Sequence, residues 1–236
     1  MPRKHVNLAI ALVCFALCLP RAWGQTPDAS DILRKVGEIY SASQEYEVNA
    51  VVTTVDAHLS EHLFVRLPKK YRRETRGEVV DNRGPQLTDE VVTVVDGSTL
   101  WAWYPKLHEY ESTDRIPNDV NTQSVDLFPG VGLFRDTVKS FRKDHNLTIR
   151  LMPEERLTTP GGTADCFVVE LTNSLDWTLL WIDKRRYYVL KLQTKKPDGT
   201  PDTTIVYDTI KLHPSVPDTV FQFHPPPDAQ HKVTPP

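Results

Sequence analysis

The chain has 236 residues, a formal net charge of −3 and 39% hydrophobic residues. This slightly acidic balance argues against nucleic acid as the main partner. The length is sufficient for one domain with a substantial hydrophobic core.

The first 24 residues have the features of a secretory signal peptide. Arg3 and Lys4 give a basic start, an uninterrupted apolar run covers residues 6–19, and small residues end the segment. A membrane-spanning helix needs about 20 apolar residues, and this run is shorter. We therefore expect residues 1–24 to be removed on export, which leaves residues 25–236 as a single domain. Removal takes three basic residues and no acids, so the net charge changes from −3 to −6.

Cysteine usage limits the chemistry of the exported chain. Two of the three cysteines lie in the signal peptide, so Cys166 remains alone. A single cysteine forms neither an intrachain disulfide nor a multi-cysteine metal site. We expect it to be a small buried hydrophobic residue.

The N-terminal part of the exported chain changes from a helical to a strand period. Apolar side chains at positions 32, 36, 39 and 40 lie on one helical stripe, with Asp28 or Ser30 as the candidate N-cap. From Tyr46 the apolar positions alternate, which predicts a first strand. A second strand is predicted over residues 62–67, and Pro68 ends it.

The next stretch is strongly basic and is followed by polar residues. It is either a solvated strand that protects a sheet edge or a patch for anionic lipid headgroups. Residues 77–90 contain Gly and Pro among polar residues and predict a loop. The basic side chains are Lys69, Lys70, Arg72, Arg73 and Arg76.

Residues 91–104 predict the central hairpin of the fold. A β-branched run and an aromatic run flank Asp96-Gly97, a strong short-range turn signal. Trp101 and Trp103 alternate with Leu100 and other apolar residues, so both faces of this strand are apolar. A strand with one wet face alternates apolar with polar residues. Both faces therefore need cover, in a sandwich, between two layers, or around a cavity.

A short apolar segment over residues 124–141 contains Pro129, Gly130 and Gly132, which prevent one long regular helix. Two short helical pieces joined by a hinge are expected. They either plug the end of a sheet or form a lid that lifts.

The rest of the chain predicts five more strands. These cover residues 147–152, 166–171, 177–182, 187–193 and 203–212, with Gly- and Pro-containing turns between them. Such a series of short strands indicates an antiparallel sheet or barrel. We expect the Pro-rich end, with Phe221 and Phe223, to dock as a last edge strand.

Catalytic and metal-binding motifs are absent from the sequence. It contains no G-x-S-x-G elbow, no phosphate-binding glycine loop and no H-E-x-x-H motif. His58 and His62 are four residues apart on a strand, where their rings do not converge on one ion. We therefore expect no enzyme activity, no cofactor and no metal.

Three stretches together resemble the LolA-like family of periplasmic carriers, which sort lipoproteins to the outer membrane. They are HLFVRLPKKYRRE at residues 62–74, VVDGSTLWAWYP at 94–105 and VFQFHPPPDAQ at 220–230. Their order and separation, the signal peptide and the first helix also match. The resemblance covers nearly all of the exported chain.

The resemblance implies a periplasmic monomer with an incomplete antiparallel β-barrel, an N-terminal helix and a helical lid over the concave face. An apolar cavity between sheet and lid would take lipoprotein acyl chains from an inner-membrane donor complex and deliver them to an outer-membrane acceptor. The candidate cavity residues are Leu63, Val65, Leu67, Trp101, Trp103, Trp177 and Trp181. The candidate lid residues are Leu127, Phe128, Val131, Leu133 and Phe134.

One residue departs from the family pattern. Proteobacterial members have an arginine directly before the proline of the first stretch, where it points into the cavity and holds the lid. Here that position is Leu67, and Arg66 lies on the other side of the strand. The departure puts the family's lid-locking mechanism in question for this chain.

The sequence supports three hypotheses. The first is a carrier of lipoprotein acyl chains or a related lipid. The second is a periplasmic module that senses lipid or lipoprotein and regulates a membrane protein partner. The third is a structural envelope domain whose sheet is filled by its own side chains, and aromatic residues interlocked without room for an acyl chain would favour it.

Overall fold

The computed structural model describes residues 27–81, 84–114, 147–173, 177–196 and 198–232. The expected signal peptide and the five lid residues, Leu127 to Phe134, lie outside these ranges. The described part contains one α-helix and one antiparallel-dominated sheet, so the mainly β prediction is confirmed. No helix among these residues is long and apolar enough to cross a membrane.

The elements follow one another with short connections up to residue 114. They are α1 (Ala29–Ser41), β1 (Glu45–Thr54), β2 (Ala57–Arg66), β3 (Lys70–Asp81), β4 (Gly84–Val95), β5 (Leu100–Tyr104) and β6 (Glu109–Thr113). After residue 146 come β7 (Thr148–Thr159), β8 (Gly162–Thr172), β9 (Trp177–Asp183), β10 (Val189–Lys195), β11 (Pro201–Leu212), a 3-10 turn (Asp218–Phe221) and β12 (Gln230–His231).

All twelve strands belong to one open sheet. Their order is β12-β6-β5-β4-β3-β2-β1-β11-β10-β9-β8-β7, with β12 parallel to β6 and the other neighbours antiparallel. The sheet does not close among the described residues, which agrees with an incomplete barrel. A helical lid is not part of what the structure describes.

The predicted loop over residues 77–90 is wrong. β3 and β4 continue through it and pair as far as Asp81 with Gly84, with one register shift between Thr75 and Gly77, so β3 is an internal strand rather than a sheet edge. The error arose because this ribbon is polar and contains Gly84 and Pro85, which are turn signals in sequence.

Helix α1 begins at Asp28, whose side-chain oxygen accepts a 2.7 Å hydrogen bond from the amide of Asp31. Its apolar stripe, with Ile32, Val36 and Tyr40 almost fully buried, packs on one face of the sheet. This face is called the helix face below, and the other is called the opposite face.

The sheet bends strongly at one end. β7 and β11 are separated by three strands, which in a flat sheet would place them about 19 Å apart. Cα atoms of the two strands nevertheless come within 8 Å. At this contact Gly161, in the β7–β8 turn, lies against the backbone of Asp208, where a Cβ would be 1.9 Å from the carbonyl oxygen.

Candidate ligand-binding face

The part of the helix face beneath α1 is buried and closed to solvent. Tyr40 is 1% exposed, and its hydroxyl accepts a hydrogen bond from the Val189 amide at 3.3 Å. Burial raises the pKa of this hydroxyl far above its usual range. The Tyr46 hydroxyl donates towards the carbonyls of Ser43 and Tyr40, at 2.8 and 3.0 Å. These bonds join the end of the helix to the sheet and fix its position.

The apolar surface of the helix face extends beyond the helix. Leu67 and Leu100 are partly buried at the border of the core. Further along β4 and β5, side chains on this face are half-buried. Thr93 of β4 pairs directly with Ala102 of β5, so their side chains lie side by side on the helix face. We call this region the open strip; it consists of Leu67, Val91, Thr93, Leu100, Ala102 and Tyr104.

Tyr104 gives the open strip a polar end. Burial, with a contribution from the carboxylate of Glu111, raises the pKa of its hydroxyl. The hydroxyl therefore stays neutral in ordinary conditions. The strip combines aliphatic and aromatic surface with a polar end, which is a suitable composition for an amphiphile.

An ion pair lies within the same face. Glu61 pairs with Ala50 of β1, and Arg73 pairs with Leu63 of β2. Ala50 and Leu63 are core residues of the helix face, so Glu61 and Arg73 lie on that face too. The side chain of Glu61 is 0% exposed and that of Arg73 is 16% exposed. Burial raises the pKa of Glu61, and the guanidinium of Arg73 opposes that rise.

Sequence reasoning missed this pair. The alternation of Leu59, Leu63 and Val65 already placed Glu61 on the apolar side of β2. A charged residue at such a position needs a partner, and this was the available signal.

The predicted cavity residues divide between the two faces. Leu63 and Val65, 3% and 6% exposed, lie in the core of the helix face, and Leu67 lies at its border. The register pairs Trp101 with Val94, Trp103 with Val92, Trp181 with Val168 and Trp177 with Thr172. All four tryptophans therefore lie on the opposite face, and the seven residues do not line one cavity.

A C-terminal strap, residues 213–232, covers Trp101 and Trp103. The ring of Phe223 lies 5.6 and 6.1 Å from the rings of these tryptophans, measured between centroids, and 6.2 Å from Tyr110. These aromatic rings pack against one another, while Trp101 and Trp103 remain half-buried. The two-sided apolar hairpin is thus partly covered, on this face, by the chain's own C-terminal segment.

The strap is anchored by Arg66. Its guanidinium binds Glu45, with Nε 2.6 Å from Oε1, and also the carboxylate of Asp218 and the carbonyl of Val216. Phe221 lies beneath the guanidinium, with 5.0 Å between Cζ and the ring centroid, and is 1% exposed. β12 then pairs with β6 at the edge of the sheet, but Phe221 lies in the 3-10 turn and Phe223 outside any strand, so the expected edge strand is confirmed only for the end of the segment.

The other two tryptophans are enclosed by charged side chains. The Trp177 and Trp181 indole N–H groups donate to Glu170 and Glu155, each at 2.8 Å. Lys195 and Lys191 lie over the two rings, with Nζ 4.3 and 4.1 Å from the centroids. Trp181 also belongs to a second, smaller core with Val168 and Leu190, against which Met152 and Leu157 of β7 pack, so this tryptophan is enclosed by apolar as well as charged side chains.

The basic stretch is largely neutralised by ion pairs. Arg72 binds Glu74 at 2.7 Å, Arg73 binds Glu61, and Arg76 binds Glu90 at 2.6 Å. Lys70 lies 3.4 Å from Asp218. A patch for anionic headgroups is therefore not favoured. Among the described residues, no group of three or more His, Cys, Asp or Glu side chains forms a metal site.

Several solved structures are similar to this chain. An uncharacterized conserved protein from Thermus thermophilus matches with a TM-score of 0.50 and 15% identity, over 86% of this chain and 98% of that protein. At this identity the match shows a shared fold.

Two further structures match at lower TM-scores. MucB in the MucA/MucB complex of Pseudomonas aeruginosa gives 0.48, with 15% identity over 87% of this chain. The chain spans 64% of that protein's length. A LolA superfamily protein from Nitrosomonas europaea gives 0.34, with 15% identity over 84% of this chain and 98% of the other.

No curated protein matches the sequence. A family model does match, over residues 29–233, and its description is "Predicted periplasmic protein (DUF2092)". The periplasmic location expected from the sequence is the location given for this family. The chain therefore belongs to the DUF2092 family of predicted periplasmic proteins.

Proposed function

We propose that this protein is a non-enzymatic periplasmic carrier that binds acyl chains of lipoproteins, or of a related lipid, on its helix face. The observation that carries the proposal is the open strip. Its apolar side chains continue the core beyond α1 and remain half-buried. The four tryptophans lie on the opposite face and are not part of the proposed site.

The energetics favour such a role in an aqueous compartment. Each buried CH₂ group is worth about 0.8 kcal/mol, so an acyl chain exposed to water costs on the order of 10 kcal/mol. A strip adjoining a dry core offers that surface without unfolding the sheet. The transfer itself, from an inner-membrane donor to an outer-membrane acceptor, is part of the proposal.

The test measures binding of dansyl-aminoundecanoic acid to the exported chain by the rise in dansyl fluorescence. Ala102→Asp introduces a charge in the middle of the open strip, and we expect it to weaken binding by about tenfold or more. Ser112→Asp is the matched control, because Ser112 lies on the opposite face of the neighbouring strand. It should leave binding unchanged.

Two results would contradict the proposal. The first is a wild-type protein that does not bind the probe. The second is equal weakening by both variants. Capture of one inner-membrane protein, together with no acyl binding, would support the regulatory alternative instead.

A further inference from the structure

A second candidate site lies on the opposite face, on the other side of the sheet from the open strip. It is a cavity of about 300 Å³ that is open at the surface. Four adjacent strands supply its walls, and the registers Asn49–His62 and His62–Glu74 align side chains across three of them. Arg76 and Asp208 complete the polar part of the lining.

Two polar atoms in this lining are buried without a hydrogen-bond partner among the described residues. They are Oδ1 of Asp208 and Nε2 of His62. His62 Nε2 is 3.5 Å from Glu47 Oε1, which is too long for a good hydrogen bond. Native proteins rarely leave buried polar atoms unpaired, so two of them at one cavity need an explanation.

The neighbouring charges do not neutralise Asp208. Glu74 is bound by Arg72 at 2.7 Å, Arg76 by Glu90 at 2.6 Å, and Glu47 by Lys211 at 2.9 Å. No ion pair to Asp208 occurs in the described part of the chain. Burial raises the pKa of this carboxyl, and no cation offsets the rise.

A β-bulge places Asp208 at the cavity. The register of β1 and β11 pairs Asn49 with Thr209 and Ala50 with Tyr207, so Asp208 is the extra residue between them. Bulges commonly redirect a side chain at a functional position. The turn at Gly161 packs on the carbonyl of Asp208 and fixes the bulge from outside.

We propose that this cavity binds the primary ammonium group of a small organic amine. An ammonium has three N–H donors and no acceptor. Asp208 Oδ1, the amide oxygen of Asn49 and the imidazole of His62 are the candidate acceptors in the lining. One ammonium group bound here would donate to these acceptors and compensate the charge of the half-buried Asp208 carboxylate. This site is separate from the acyl site, and its ligand belongs to another chemical class.

The experiment titrates the exported chain with putrescine at neutral pH, by calorimetry and by amide chemical-shift changes. 1,4-Butanediol has the same length without charge, and tetramethylammonium has charge without N–H donors. We expect putrescine alone to bind, with shifts centred on residues 49, 62 and 208. Equal binding of the diol or of tetramethylammonium would overturn the proposal.

Variants test the named atoms. Asp208→Asn should weaken putrescine binding by about tenfold or more, and should not lower the melting temperature, because it removes an unpaired buried carboxylate. Asp202→Asn is the control, since this acid lies on the same strand, is exposed and faces Lys196 at 3.9 Å.

His62→Phe gives an independent test. The new ring keeps the contact with Phe64, whose centroid is 4.3 Å from that of His62, but has no nitrogen acceptor. It should also weaken binding. Unchanged affinity in both variants, or a destabilised Asp208→Asn with unchanged affinity, would show that these groups are structural. Ala102→Asp, which addresses the acyl site, should leave putrescine binding intact.

Discussion

Arg73 holds the buried carboxylate of Glu61 in a two-point contact on the helix face, next to core residues of β1 and β2. Nε of Arg73 is 3.1 Å from Oε2, and a terminal nitrogen binds Oε1. Such a pair adds little stability over apolar residues of similar size, yet breaking it is costly. Its presence beside the open strip fixes the neighbouring strands β2 and β3 in one register.

Arg73→Met leaves Glu61 buried without its cation. We expect the free energy of unfolding at pH 7 to fall by about 3–5 kcal/mol, measured by urea denaturation. The double variant Glu61→Leu/Arg73→Met should recover most of that loss, because no charge remains buried. If the double variant were as unstable as the single one, lost packing rather than an unpaired charge would be the cause.

Gly161→Ala tests the contact that bends the sheet. The added methyl group would lie 1.9 Å from the carbonyl oxygen of Asp208, so the β7–β8 turn has to move away from β11. We expect a loss of about 1–3 kcal/mol, measured by thermal and urea unfolding. Thr163→Ala, at an exposed position of the same hairpin, is the control and should change stability little. Tolerance of alanine at 161 would mean that the turn does not pack on β11 in solution.

Phe221→Ala tests the anchor of the C-terminal strap. This ring is 1% exposed beneath Arg66, and its removal from a filled site should cost about 3–5 kcal/mol. The strap should also loosen over Trp101 and Trp103, which would shift their fluorescence to longer wavelength. His224→Ala changes an exposed residue of the same segment and should do neither. If Phe221→Ala is destabilised but its tryptophan fluorescence is unchanged, Phe221 does not hold the strap over Trp101 and Trp103.

The sequence predicted the elements whose local signals agree with their environment. Helix α1 has an N-cap and one apolar stripe, and the hairpin around Asp96 has the expected turn, with the carboxylate accepting from the Ser98 and Thr99 amides at 2.8 and 2.9 Å. The end of β3 and the start of β4 were predicted as a loop because residues 77–90 are largely polar and contain Gly84 and Pro85. A strand that carries alternating charges and is internal to a sheet resembles a loop when its partners are unknown.

The face of the sheet on which each tryptophan lies could not be predicted from the sequence, for a different reason. A period of two shows which side chains share a side of a strand but not which side meets α1. Trp103 and Leu63 are both apolar and both lie on strands, yet register places them on opposite faces. Only the strand order and the position of the strap, including Phe223, decide that question.

Asp183 gives a pH-dependent prediction. It is 4% exposed and accepts from the amides of Arg185 and Arg186 at 2.7 and 3.1 Å, and from Nε of Arg186 at 2.8 Å. Burial alone would raise its pKa, but these donors and the positive charge of Arg186 hold the pKa below the usual range. A lowered pKa in the folded state contributes stability above the unfolded-state value of about 3.9, and this is lost as pH falls through the folded-state pKa.

Asp183→Asn keeps an acceptor oxygen but removes the charge. We expect it to lower the free energy of unfolding by about 1–3 kcal/mol at pH 7, with a smaller difference from the wild type at an acidic pH below the folded-state pKa of Asp183. Urea denaturation at the two pH values measures both quantities. Asp165→Asn is the control, because that carboxylate is 72% exposed and lies 4.0 Å from Arg156. An equal loss at both pH values would attribute the effect to turn geometry instead of to the charge of Asp183.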